Sequence, residues 1–209
     1  MLPILFFLVF VLVVAATIGY RAYAVAQWDR ASRKLDARHR HPRLSVGEIT
    51  GKVEGRRFRV STATVYEEGP AYFHTRAVVW CENPAHLVLG LRRKSALEMV
   101  TTRRDQSPLQ TEDEEFNRRF LVICNHVADL DKLLDPHIRK SLASLESVEI
   151  RIKGAEVQSR LPGRLTRSDD IVRLCGLASA IAQRLETLAA RTESLSERLA
   201  DQRLLDEGV

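Results

Sequence analysis

Histidines, cysteines and clustered carboxylates are the side chains of this chain that could do chemistry, and none is spaced for it. His74, His86, His126 and His137 are scattered, and no Ser or Cys nucleophile has a sequence reason to pair with them. His126, close to Cys124, reads like the others as a packed or surface histidine. The acidic run Glu112-Asp113-Glu114-Glu115 offers hard oxygens to a divalent cation. It lacks the Gly-bearing loop of a calcium site, and a solvated acidic run is the simpler reading. His39 and His41 stand two residues apart and do not share a helix face, which argues against a metal site. Gly-rich phosphate loops and the HExxH, GxSxG and CxxC patterns are missing. No catalytic residue, cofactor or metal is expected, and the chain reads as non-enzymatic.

The three cysteines, Cys81, Cys124 and Cys175, are odd in number, widely spaced and set in apolar contexts. They form no disulfide framework and suit buried thiols in a reducing compartment.

The elements that position these residues begin with a span. Residues 1–20 (MLPILFFLVFVLVVAATIGY) carry no charged side chain. That length crosses a hydrocarbon core of about 30 Å at about 1.5 Å per helical residue. Pro3 sits in the first turn, where no hydrogen bond is lost. A cleaved signal peptide is the competing reading, because Ala22-Tyr23-Ala24 resembles a cleavage site. The apolar run is long for a signal peptide and no cation precedes it, so a retained transmembrane helix is expected.

Arg21, Arg30, Arg33, Lys34, Arg38, Arg40 and Arg43 follow the span, against Asp29 and Asp36. By the positive-inside rule this puts the N-terminus outside and the C-terminal domain in the cytoplasm of a single-pass plasma-membrane protein. Tyr20, Tyr23 and Trp28 suit the water–lipid boundary. The basic flank alone contributes +5, the whole net charge of the chain, and residues 44–209 sum to zero. A neutral domain argues against nucleic acid as a partner. It leaves the membrane, with the flanking cations either attracted to anionic headgroups or merely setting topology.

The organisation that follows is a span (1–20), a basic juxtamembrane helix or linker (21–43), an α+β domain (44–165) and a long C-terminal helix (166–209). Helix is expected to continue through residues 21–40. Alternating apolar and polar residues predict strands at 49–53 and 58–60 around a Glu54-Gly55 turn, at 72–82, and across Leu87, Leu89 and Leu91. Residues 96–102 suggest a further short strand. Together these predict a four- or five-stranded antiparallel meander. Residues 103–115 read as a loop and 116–125 as a strand placed centrally in the sheet. Short helices are expected at 127–134 and after the Asp135-Pro136 cap, with Ile138, Leu142 and Leu145 on one side. A hairpin follows at 148–161. Ser168-Asp169-Asp170 then opens the last helix. Its first half is apolar enough to pack on the sheet. Its second half carries a narrow stripe, either a coiled-coil seam or an amphipathic tail.

Residues 111–145 carry a further pattern. It reads Thr111-Glu112-Asp113-Glu114-Glu115-Phe116-Asn117-Arg118-Arg119-Phe120-Leu121-Val122, then Leu133-Leu134-Asp135-Pro136, then Leu142. This resembles bacterial single-span proteins of unknown function, in which a T-G-D-x-x-F-D-x-x-F-x-V strand precedes an L-L-x-P-x-h-R-x-x-L-L helix. Glu112 replaces the Gly of that pattern and Asn117 its second acid. The resemblance covers roughly residues 45–190 and implies an architecture and a bacterial inner membrane, but no site and no activity.

Two binding roles remain in view. One is a scaffold that presents its sheet or C-terminal helix to a protein partner or to a second copy. The other is a module, similar to pleckstrin-homology domains, that reads lipid headgroups or a small ligand through Arg92, Arg93 and Lys94. An enzyme acting on envelope precursors is the remaining class.

Overall fold

The computed structural model describes residues 2–40, 47–65, 72–84, 86–95, 109–125 and 130–206. The fold is α+β: a long apolar N-terminal helix, an eight-stranded antiparallel sheet, short helices and a C-terminal helix. Arg43, His41, His126 and the strand expected at 96–102 lie outside the described residues.

Helix α1 (Leu2–Lys34) is one unbroken element, long and apolar enough to cross a membrane. Its N-terminal half is fully exposed apolar surface, with Phe6 80% and Leu12 68% exposed. An exposed apolar surface of this extent is compatible with a membrane anchor. Its C-terminal end belongs to the domain, since Ala24, Gln27, Trp28, Ala31 and Ser32 are buried. The small residues Ala24 and Ala31 allow α1 to approach the last helix closely.

Helix was expected to continue to residue 40, but it stops at Lys34. Asp36 adopts φ 47°, the Ala37 N–H donates to the Ser32 carbonyl, and the Asp36 N–H donates to the Arg33 carbonyl. That is a Schellman cap with Asp in the position glycine usually takes. The chain then reverses into β1 (Arg38–Arg40), which runs back along α1 toward the span.

Strands β2 (Glu48–Val53) and β3 (Arg56–Val65) form the expected hairpin. Glu54 and Gly55 both have positive φ, as a two-residue type I′ turn requires. β4 (Tyr72–Trp80) pairs with β3, and to this point the sheet is a meander. The next strand in the chain, β5 (Leu89–Arg93), is not β4's neighbour. The hairpin of β7 (Glu149–Lys153) and β8 (Glu156–Pro162) inserts between them, giving the order β1-β2-β3-β4-β8-β7-β5-β6. Asn83 secures the crossing: its amide donates to the Leu87 and Gly154 carbonyls and accepts the Leu87 N–H.

Residues 116–125, expected as one central strand, are a helix followed by an edge strand. Helix α2 (Glu114–Arg119) is capped by the Asp113 carboxylate, which accepts the Phe116 N–H at 2.9 Å. Among the described strands, β6 (Phe120–Cys124) pairs only with β5, at the sheet edge, and Ile123 is 59% exposed. α3 (Leu130–Leu133) and α4 (Pro136–Ala143) follow, α4 capped by Asp135 through the Ile138 N–H. α5 (Ser168–Asp206) crosses the sheet and buries Ile171, Leu174, Cys175, Ala178, Ile181, Ala182 and Leu185. The Ser159 hydroxyl, fully buried on β8, donates to the Leu174 carbonyl of that helix.

Candidate functional site

Strand alternation divides the sheet into two chemically different faces. One carries Phe58, Val60, Ala77, Val79, Leu91, Val122, Ile150, Ile152 and Val157, all buried in the core with α5. The register of every ladder places the remaining residues on the other face. Its cations are Arg38, Arg40, Lys52, Arg57, Arg59, Arg76, Arg92, Arg151, Lys153 and Arg160. Its carboxylates are Glu48, Glu149 and Glu156.

Among the described strand residues, ten cations against three acids give this face a net +7, more than the +5 of the whole chain. The neutrality of residues 44–209 therefore conceals a polarised domain. The three acids are already engaged. Glu48 pairs with Arg59 at 2.8 Å, Glu149 with Arg160 and Arg151, and Glu156 accepts from Trp80 and Gln158. Arg57 lies over the Trp80 ring at 5.7 Å, which braces one cation against the surface.

One end of this face forms a cleft of about 450 Å³, lined among others by Tyr72, His74, Arg92, Arg151 and Arg160. Arg92, Glu149 and Arg160 stand on one rung across β5, β7 and β8. His74 is buried on the neighbouring strand, opposite Pro162. Of the three consecutive cations expected to read headgroups, all line this cleft, but they are not equivalent. Lys94 is 9% exposed, and its ammonium donates to the Asn117 carbonyl at 2.9 Å, tying β5 to α2. Lys94 is thus a structural residue. Arg92 lies on the open face with the cleft, whereas Arg93, next along β5, falls by alternation on the side of Leu91 and Phe120. Arg151, Arg160 and His74 were missed, because only sheet register brings them beside Arg92.

The cleft lies at the end of the sheet toward which β1 runs. β1 runs back along α1, with His39 stacked on Trp28 at 6.0 Å and its Nδ1 2.6 Å from the Asp29 carboxylate. β1 therefore ends, at Arg40, on the side from which α1 departs. By register the same end holds the start of β4, the end of β5, the start of β7 and the end of β8. Tyr72 and Phe73 are about two-fifths exposed there, and the Arg164 guanidinium lies 3.7 Å over the Phe73 ring.

Trp28, expected at the water–lipid boundary, is instead wholly buried in the domain. Its indole N–H donates to the Leu165 carbonyl at 2.9 Å. Tyr20 and Tyr23 are more than half exposed and remain free to take the boundary position. Arg38 and Arg40 belong to β1 rather than to a juxtamembrane helix. Lys34 pairs with Asp169 at 2.6 Å, and Gln27 accepts the Ser168 N–H, so α1 also holds the first turn of α5. The Lys34 ammonium holds the Asp169 carboxyl below its ordinary value.

A second cleft, of about 480 Å³, lies between α4, α5 and the β2–β3 turn and is lined by small and polar residues such as Gly176, Ser179 and Gln183. Among the described residues no three His, Cys, Asp or Glu side chains converge as a metal site. Burial pushes the Cys175 thiol up to about 12 and the Cys81 thiol up to about 11. Both are therefore protonated and poorly nucleophilic near neutrality. Maleimide at pH 8 is expected to label Cys124, the only partly exposed thiol, well before the other two. Mass spectrometry of the native and denatured protein checks this, and equal labelling of all three in the native state would contradict it. No protein-family model matches the chain, and no curated protein is significantly similar to it.

Proposed function

We propose that the chain is a single-pass, non-enzymatic docking module. α1 anchors it in the plasma (inner) membrane, and the uncovered sheet face receives the acidic surface of a partner protein on the cytoplasmic side. The observation that carries this reading is the net +7 of a face that no described helix covers. A face of this sign attracts and orients an acidic surface by complementarity. The engaged acids Glu48, Glu149 and Glu156 interrupt the positive field at fixed points, which suits a patterned protein surface better than the uniform charge of a nucleic-acid backbone.

Retention of the anchor is supported by the burial of Ala24, the last residue of the cleavage-like Ala22-Tyr23-Ala24. The cytoplasmic orientation rests on the cations from Arg21 to Arg43.

Photo-crosslinkers at Lys52 and Lys153, placed in the full-length protein in intact cells, test the proposal. One protein adduct is expected, lost when Arg57 and Arg59 are changed to Glu and weakened by high salt. Adducts that survive the charge reversal would overturn it. So would adducts formed only when the photo-crosslinker is moved into residues 191–206, which would point to docking or self-association through α5 instead.

A further inference from the structure

The open face changes character toward the edge formed by β5 and β6. We propose that this edge receives a large apolar side chain of an acidic protein segment. The apolar group seats over Gly90 while carboxylates of the same segment meet Arg151 and Lys153. The inference rests on the open face being a docking surface, and it names the chemistry of what docks there.

Gly90 is the first observation. It stands inside β5, where glycine weakens a strand and leaves no side chain to pack. Gly51, inside β2, has a packing reason, because a Cβ there would come within 2.9 Å of the Ala37 Cβ. Gly90 has no such reason. Its φ is not positive, and among the described residues an added Cβ would meet only the Ile123 Cβ, at 3.9 Å. The fold therefore accepts a side chain at position 90, and the surface carries a notch instead. Glycine inside a strand often marks the close approach of a ligand or of another backbone.

The surroundings of the notch are the second. Register puts Gly90 opposite Ile123 on one side and opposite Arg151 on the other. Ile123 is 59% exposed, and Val88, two residues before Gly90 on the same face, is about half exposed. Leu121 is half-buried beside Ile123 on that face. These three do not serve the core, which takes Leu89, Leu91 and Val122 from the same strands. Exposed apolar groups that lie together beside charged ones mark interaction surfaces.

Charge is the third. Arg151 and Lys153 stand on β7, one strand spacing of about 4.8 Å from β5. The Arg151 side chain is 60% exposed, and it pairs at 3.8 Å with Glu149, a carboxylate that Arg160 also holds. Lys153 makes no ion pair with a described residue. Side chains one turn apart on a helix are separated by about 5–6 Å, close to the step from the notch to these cations. A nucleic-acid backbone supplies the charge without the apolar group. A protein segment supplies both at a fixed spacing.

The test places a photo-crosslinker at Leu121 of the full-length protein in intact cells. Its adduct is expected to be the same protein that a crosslinker at Lys153 captures. The linked peptide, sequenced by mass spectrometry, is expected to carry a large apolar residue flanked by acids. Gly90→Val is expected to lower the adduct yield from both positions by about tenfold or more. Burial of one large apolar side chain is worth at least about that factor. The same change is expected to leave the melting temperature of the purified protein unchanged or raised, since valine suits a strand better than glycine. Ile123→Ser, at the exposed edge, is expected to give the same loss and serves as the independent variant if Gly90→Val fails to fold.

Adduct yields that Gly90→Val leaves unchanged in a folded protein would overturn the inference. So would a linked peptide lacking the apolar residue or the acids, and so would a lipid or a second copy of this chain as the adduct. Persistence of the Lys153 adduct in both notch variants would remove the notch alone and leave docking on the basic face standing. Absence of any protein adduct from Leu121, Lys52 and Lys153 would remove the docking reading itself.

Discussion

Trp28→Ala is expected to destabilise the protein by roughly 3–5 kcal/mol, the range for truncating a buried aromatic side chain. The indole is wholly buried and sits where α1, β1 and the start of α5 meet. Three losses combine. The cavity left behind cannot be filled by Ala31 or Ala24 from the same helix. The Leu165 carbonyl loses its donor. His39 loses the ring against which it stacks. Leu165 matters beyond itself, because its N–H donates to Thr75 Oγ1 on β4, so the indole secures the segment between β8 and α5 to the sheet. For a chain of this length the melting temperature is expected to fall by on the order of 10 °C. Thermal unfolding of purified full-length protein in detergent checks this, with Tyr23→Ala as the comparison. Tyr23 is about half exposed, and its loss is expected to change stability by less than about 0.5 kcal/mol. Equal effects of the two changes would mean that the anchor helix does not dock on the domain as described.

This residue also shows where sequence reasoning ran out. Trp28 follows an apolar span and precedes a basic stretch, which is the local signature of an interfacial aromatic. Its burial is decided by contacts with Leu165 and His39, one of them far along the chain. Elements whose signals are local were legible. The Glu54-Gly55 turn, the Asp135-Pro136 cap and the start of α5 all stand where the residues put them. The end of α1 was not, because Asp36 takes the left-handed position without the glycine that usually announces it. Helix α2 was misread as strand, although its signals were present. Asp113 caps it, Glu114 and Glu115 open it, Arg118 and Arg119 close it, and Phe116 stacks on Phe120 at helical spacing.

The candidate site was half legible for the same reason. Arg92 and Arg93 are visible as a basic cluster. Arg151 and Arg160 look like the polar side of an ordinary hairpin until β7 and β8 are known to lie between β4 and β5. The polarity of the open face has the same origin. Each strand alternates plainly, as in Arg57-Phe58-Arg59-Val60 and Glu149-Ile150-Arg151-Ile152-Lys153. Only strand order and register make the cations of seven strands fall on one side. A charge total cannot detect this, since acids on the remaining surface cancel the sum.

Asp135 couples two helices through one carboxylate, and its removal is the other large expected effect. One oxygen accepts the Ile138 N–H at 2.8 Å and caps α4. The other accepts from the Arg184 guanidinium of α5. Partial burial pushes this carboxyl up, but the Ile138 N–H and Arg184 together outweigh burial and hold it below its ordinary value. Asp135→Ala is expected to cost about 2 kcal/mol, chiefly the lost cap. Asp135→Asn keeps an acceptor for Ile138 and loses only the charge, so it is expected to cost less than about 1 kcal/mol, Arg184 being half exposed. The dependence on pH has a fixed sign. A carboxyl held low in the folded state contributes fully above its ordinary value near 3.9. That contribution is lost as the pH falls through the lower folded-state value. The gap in stability between the native protein and Asp135→Asn is therefore expected to be constant from about pH 5 upward and to close in stronger acid. Chemical denaturation of both proteins across that range measures it. A gap that widened on acidification would show that Arg184 does not stabilise the ionised carboxylate, and the link between α4 and α5 would have to lie elsewhere.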